Sequence, residues 1–215
     1  MSSKSLPLRN CSVRFFYCDH VLEHITNEAV QHLFTVRNGC LQNGGALRIL
    51  VPDIELVYEA YAKGNWGFFV REISTLNRDF LRKESSLERL FLHHFAGHIA
   101  GRANPEEVKH DFAQMNKTDF LDSYSSKAQS VVNKNPIIQK KLSHYHMNWF
   151  DYGKLADMLK KAGFGVAYGS APQQGMFAQV VGPNFDRRTD SLIIEAVKNG
   201  AGSAHQGSRG QPRAF

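Results

Sequence analysis

Val13-Arg-Phe-Phe-Tyr-Cys18 is a short apolar run rich in β-formers, entered through the polar Asn10-Cys-Ser12, and it reads as a strand buried on both faces. Thr26 then offers a side-chain cap for a helix whose Val30, Leu33, Phe34 and Arg37 stem share a face, with Ile25 and Val30 spaced to staple its start. Gly39 is placed to stop that helix. Asn43-Gly44-Gly45 turns the chain into Ala46-Leu-Arg-Ile-Leu-Val51, a second apolar run closed by Pro52, which cannot extend a ladder. Strand, helix and strand so close together make a βαβ crossover between parallel strands, so this stretch decides for an α/β fold.

Outward from it, a helix is expected from Ile54 to about Tyr61. From about 67 to 148 the chain is strand-poor and helix-leaning, punctuated at Gly97, at Gly101 to Pro105 and at Asn133 to Pro136, which reads as a large helical insertion. Phe68, Phe69, Leu76, Phe80, Leu87, Leu90 and Phe91 are its expected core. Asp151 caps an amphipathic helix with Tyr152, Leu155, Ala156 and Leu159 on one face, ended by Gly163. Gly165 to Ala171 and Leu192 to Lys198 are β-like, with Met176 to Val181 as a further candidate. From 199 to 215 a mixture of Gly, Ser, Gln and Arg has little to bury and reads as a disordered tail. The expectation is one domain over residues 1–198.

With 42% hydrophobic and 21% charged residues, the 215-residue chain has enough apolar surface to outweigh its ordering entropy. No stretch is long and apolar enough for a membrane span, and Met1 to Pro7 lacks a secretory signal, which points to the cytoplasm. Cys11, Cys18 and Cys40 form no C-x-x-C pair and suit a reducing compartment. The formal charge is +6, two of it from Arg209 and Arg213 in the tail, and the basic residues of the body occur only as isolated pairs. Nucleic acid is therefore not the expected ligand.

Phe16-Tyr-Cys-Asp-His-Val-Leu-Glu-His-Ile25 resembles the fourth strand and following turn of class I S-adenosylmethionine-dependent methyltransferases, in particular the small-molecule type with a Leu-Glu-His signature. Cys40-Leu-Gln-Asn-Gly-Gly-Ala-Leu-Arg-Ile-Leu-Val-Pro-Asp53 is similar to that family's glycine turn and fifth strand. Leu155 to Phe164 resembles the helix and turn before its sixth strand, and Ser191 to Lys198 its seventh. The resemblance covers residues 7–62 and 144–198. It implies a partial Rossmann-like methyltransferase sheet, strands four to seven, and transfer of a methyl group from S-adenosylmethionine to a small molecule.

One departure matters. In this family the cofactor lies mainly over the first two strands, with a glycine-rich turn and an acidic ribose ligand. Only twelve residues precede Val13, too few for those units, and no Gly-x-Gly-x-x-Gly occurs. The chain is thus expected to start within the domain, and activity of this chain alone is not expected. If the family's strand order holds, the outer edge of the Val13 to Cys18 strand lacks a neighbour, so a homodimer or a partner chain is expected along it.

By the resemblance, Cys18, Asp19 and His20 at the end of the first strand are the cofactor-binding candidates, and His24, Asp53 and His146 the substrate-binding ones. No catalytic residue is assigned, since methyl transfer leans on positioning. His20-Val-Leu-Glu-His24 also fits the H-x-x-E-H zinc pattern, but that needs both histidines in one helix, and Thr26 places the motif in a turn. His93, His94 and His98 lack a closed ligand set, so no metal is expected. The competing readings are a non-catalytic binding or scaffold subunit that keeps half the fold and, third, a metal-dependent hydrolase built on the histidines.

Overall fold

The computed structural model describes residues 8–74, 86–135, 137, 144–177, 181 and 190–199. Strand β1 (Val13–Asp19) runs parallel to β2 (Leu41–Pro52), with Phe16 opposite Leu47 and Cys18 opposite Ile49. Side chains alternate across a strand, so Phe16, Cys18, Leu47, Ile49 and Val51 all reach one core. Between the two strands lies α1 (Asn27–Cys40), capped as its sequence requires: Thr26 Oγ1 accepts the Ala29 N–H at 3.3 Å.

Two expectations about this unit need correction. Gly39 does not stop α1, which continues to Cys40 and passes directly into β2. Gly44 and Gly45 do not form a turn before the strand but an irregularity inside it: Gly44 has φ +74°, and the β1–β2 register shifts between Val13 and Phe15. A Cβ on Gly45 would meet the backbone oxygens of Arg14 and Gln42 at 2.9 Å, so only glycine lets the bulged strand lie this close. β1 is also less buried than expected. Only Cys18 is buried in it, because among the described residues β1 has a ladder on one side only.

Asp53 caps α2 (Ile54–Ala62) by accepting the Glu55 N–H at 3.0 Å. Helices α3 (Trp66–Ser74), α4 (Leu87–His93), the single turn α5 (Gly97–Ala100), α6 (Pro105–Gln114) and α7 (Lys117–Lys134) follow. Together with α2 they enclose an aromatic core in which Tyr61 stacks on Phe91 at 4.3 Å and Phe91 on Phe120 at 5.8 Å. Phe69, Leu90 and Phe91 are buried there as expected, and Phe68 and Leu87 pack against it. Leu76 and Phe80 lie outside the described residues.

Helix α8 (Tyr152–Lys161) starts at Asp151, whose carboxylate accepts the Lys154 N–H at 2.8 Å. Its buried face is Leu155, Met158 and Leu159, not the face with Tyr152; that ring lies outside, its hydroxyl donating to the Ala167 carbonyl at 3.0 Å. Strands β3 (Phe164–Ser170) and β4 (Ser191–Lys198) complete a sheet of order β1-β2-β4-β3, with β4 antiparallel to both neighbours. The fold is therefore mixed α/β. Met176 and Phe177 are not in a strand, and residues 178–180 and the tail from 200 lie outside the described residues.

Asn38 and Gln31 of α1 donate to the Ala162 and Met158 carbonyls at 2.8 and 3.1 Å, so α1 and α8 cover the same sheet face. No helix among the described residues is long and apolar enough to cross a membrane. The strand directions bring the carboxyl ends of β1 and β2 and the start of β4 to one sheet edge. Pro52 stands opposite Ser191 there, and His20 N–H donates to the Leu50 carbonyl at 2.9 Å.

Candidate functional site

At that edge β1 ends and the chain turns sharply. His20 takes φ +49°, a left-handed conformation that non-glycine residues seldom adopt, and a 3-10 turn over Leu22–His24 leads to α1. Leu22 is fully buried and anchors this turn in the core. The turn points Glu23 inward and sets His20 and His24 beside it.

Glu23 is the centre of the arrangement, 1% exposed. Its carbonyl accepts the Met147 and Asn148 N–H groups at 2.8 and 3.2 Å, which fixes the 144–148 segment against the turn. Its carboxylate Oε1 lies 3.1 Å from His20 Nδ1, 3.8 Å from His24 Nε2 and 4.0 Å from His146 Nε2. The other oxygen, Oε2, is buried with no hydrogen-bond partner among the described residues. Burial alone would raise this carboxyl's pKa. The hydrogen bond from His20, the charge interaction with His146 and the backbone bond within the turn outweigh it and hold the group below its ordinary value, as a carboxylate.

His20 continues the chain of contacts outward: its Nε2 is 2.8 Å from Ser191 Oγ. Since a carboxylate can only accept, Nδ1 carries the proton toward Glu23, and in the neutral ring Nε2 is the acceptor facing the serine. Asp19, 45% exposed in its side chain, lies 3.9 Å from the same Nε2.

His24 and His146 meet edge to face, their ring centroids 4.9 Å apart. Each turns Nδ1 to a backbone carbonyl, His24 to Tyr145 at 3.2 Å and His146 to His94 at 2.9 Å. Burial pushes His146 down to about 4. Around Tyr145 stand three more rings, His93, His98 and His144, with centroids 5.7, 5.6 and 4.4 Å away. Burial also lowers His93 and His94 to about 3, and His98 below its ordinary value. Seven of the chain's ten histidines thus gather at one corner.

Of the residues singled out from the sequence, His20, His24 and His146 come together, joined by Asp19 at the rim. Cys18 does not join them: its side chain faces the apolar core, and burial pushes its thiol up to about 12. Asp53 lies at the same sheet edge but spends a carboxylate oxygen on capping α2, and burial raises its pKa. Glu23 was weighed from the sequence as a ligand or base but not as the hub, and Ser191 as the neighbour of His20 was not among the site candidates. Glu23 stands inside the Leu-Glu-His signature, whereas nothing local marks a serine that opens a strand.

No family model matches the chain, and no curated protein matches it. Among solved structures it is similar to a "possible exported protein" from Bordetella parapertussis, at 10% identity and a TM-score of 0.37 over 90% of this chain. A protein assigned as an O-methyltransferase from Nostoc punctiforme PCC 73102 matches at 9% identity and 0.34 over 88%. Phosphoethanolamine N-methyltransferase 2 of Haemonchus contortus, in complex with phosphomonomethylethanolamine and S-adenosylhomocysteine, matches at 11% identity and 0.23 over 90%. The chain spans 41%, 33% and 35% of their respective lengths. Methyltransferases are thus among its structural neighbours. Likenesses this distant assign no function.

Proposed function

We propose that this chain carries strands four to seven of a class I methyltransferase sheet, and that the parent reaction methylates a small molecule from S-adenosylmethionine. The observation that carries the reading is the sheet itself. A parallel pair, β1 and β2, is followed by a last strand inserted antiparallel between β2 and β3, so the four segments that the resemblance matches to strands four to seven lie together in one sheet. Ligands of open α/β sheets bind at the carboxyl ends of the parallel strands, where the Glu23 cluster lies.

The residues present fit part of the cofactor's surroundings. Asp19 and His20 offer polar atoms at the strand end, whereas Cys18 does not. When bound, S-adenosylmethionine supplies an electrophilic methyl on a sulfonium. The chain's own contribution is to position the acceptor and take its proton. His20 is built for the second task, because Glu23 fixes its Nδ1–H and leaves Nε2 as an acceptor beside Ser191. His24 and His146, 26% and 21% exposed, would line the acceptor side.

On the same reading a second copy or a partner chain pairs along the outer edge of β1, where the described sheet ends. Titration calorimetry with S-adenosylhomocysteine, on a sample whose mass in solution is measured by light scattering, tests both parts. Micromolar binding by a dimer is the expected result. Absence of binding by a folded monomer overturns the reading and favours a scaffold role.

A further inference from the structure

We propose that Glu23, His24 and His146 form a binding site for one first-row divalent ion of the zinc type. This stands independently of the methyl-transfer reading, since it rests on the side chains of the turn and the 144–148 segment alone.

The first argument is geometric. One donor atom from each of Glu23, His24 and His146 lies within 4.8 Å of the other two, and Glu23 Oε1 faces the Nε2 atoms of both histidines. Zinc bonds of roughly 2.0–2.2 Å place tetrahedral ligand atoms about 3.3 Å apart. The observed carboxylate-to-imidazole separations are 3.8 and 4.0 Å. Closing round an ion thus needs movements of about 0.5 and 0.7 Å on those two sides, and the two imidazole donor atoms, within 4.8 Å of each other, must also draw together by side-chain torsion.

The second argument is the orientation of the rings. The Tyr145 and His94 carbonyls can only accept, so the Nδ1 atoms of His24 and His146 bear the protons. In the neutral rings, Nε2 is then a lone pair, and both lone pairs aim at a carboxylate oxygen. Three electron-rich atoms then face one another, an arrangement that a metal ion, or a proton on one Nε2, relieves. An imidazole whose far nitrogen donates to a backbone carbonyl is also how metal-bound histidine is usually held.

The third is Glu23 Oε2. A carboxylate oxygen on a residue 1% exposed, with no hydrogen-bond partner among the described residues, lacks compensation for its burial. An ion bound through Oε1 neutralises the carboxylate as a whole and so lowers the cost of burying Oε2. Meanwhile His20 holds Oε1 from the other side at 3.1 Å and fixes its direction.

The donor set names the metal class. Two imidazoles and one carboxylate suit zinc, cobalt or nickel over magnesium or calcium, which prefer all-oxygen shells. Three protein ligands leave a fourth position, and the partial exposure of both histidines turns it toward solvent. The H-x-x-E-H spacing does not produce this set by itself. His20 serves Glu23 rather than the ion, and the second imidazole comes from His146, far along the chain.

The test uses the full chain without a polyhistidine tag. Zinc and cobalt are titrated against a chromophoric competitor, and circular dichroism confirms that each variant is folded. We expect one ion per chain, visible cobalt absorption of tetrahedral intensity, and an affinity loss of about 100-fold or more in Glu23→Gln and His24→Gln. His98→Gln should bind as the unaltered chain does. If Glu23→Gln fails to fold, the more exposed His24→Gln and the cobalt spectrum still decide. The proposal is overturned if the folded chain retains no ion and its melting temperature ignores zinc. It is equally overturned if binding survives both ligand substitutions or follows His98.

Discussion

Arg48 and Glu195 stand directly opposite each other in the antiparallel register of β2 and β4, and their side chains pair at 2.6 Å with neither exposed to solvent. Glu195 is held further by the Tyr168 hydroxyl at 2.6 Å and the Met176 N–H at 2.8 Å. Arg48 also reaches Ser170 Oγ and the Ala171 carbonyl, both at 3.4 Å. The pair thus ties β2, β3, β4 and the loop after β3 on the sheet face opposite α1 and α8.

Removing one member leaves a buried charge without its counterion. Arg48→Met or Glu195→Leu should each cost about 3–5 kcal/mol, measured by urea unfolding. The double substitution should cost much less than the sum, because desolvation of both charges disappears together. Additive losses would show that the two charges do not depend on each other.

The buried histidines make stability fall in acid. His93 and His94 take up a proton only near pH 3 when folded, against 6.5 when unfolded, because burial disfavours the charged ring. Between those values the unfolded state holds more protons, so stability is complete above about 6.5 and declines as pH drops toward 3. Each such histidine contributes up to about 1.4 kcal/mol per pH unit. Urea midpoints at pH 7.5, 6 and 5, taken with a chelator present, should decrease stepwise; a flat series contradicts the burial of these rings.

Lys154 has the same sense of shift in an alkaline window. Its ammonium lies 4.0 Å from the Trp149 ring centroid and 5.2 Å from that of Phe150, and burial pushes it down to about 8 from 10.5. The unfolded chain binds the extra proton between those values, so this residue's contribution to stability rises from pH 8 to 10.5. The melting temperature of the unaltered chain relative to Lys154→Met should therefore increase between pH 7.5 and 10. A constant difference would place the ammonium in water.

Gly163 ends α8 with φ +88°, and a Cβ there would sit 2.9 Å from Asn38 Nδ2, the donor that binds the Ala162 carbonyl. Gly163→Ala combines backbone strain with a damaged tie between α1 and α8. We expect a loss of about 1–3 kcal/mol in chemical unfolding. Gly39, with open space around it and no positive φ, should accept alanine without loss.

What could be read from the sequence was what short-range chemistry controls. Thr26 and Asp151 sit immediately before helices and cap them, and the two apolar runs pair in parallel as their spacing requires. Less legible were features decided by distant neighbours. Gly44 and Gly45 look like a turn until β1 is laid beside them and the pair becomes a bulge. Tyr152 fits the apolar stripe of α8, yet the Ala167 carbonyl draws its hydroxyl outward. At the site, Cys18 stands next to Asp19 and His20 in sequence, but it is still within the strand and packs into the apolar core, whereas the left-handed turn at His20 swings that ring to the strand end. Ser191 reaches His20 only because β4 inserts beside β2.

That insertion has a consequence for biosynthesis. The strand in the interior of the sheet is made after both of its neighbours, so on the ribosome β2 and β3 wait with unsatisfied edges for β4 to emerge. Arg48 likewise waits for a counterion encoded 147 residues later. Until then, the chain carries unpaired strand edges with a buried-type cation beside them, the kind of surface that templates aggregation. Closure of this sheet therefore comes last in chain order, completed in one step as a single strand enters between two others.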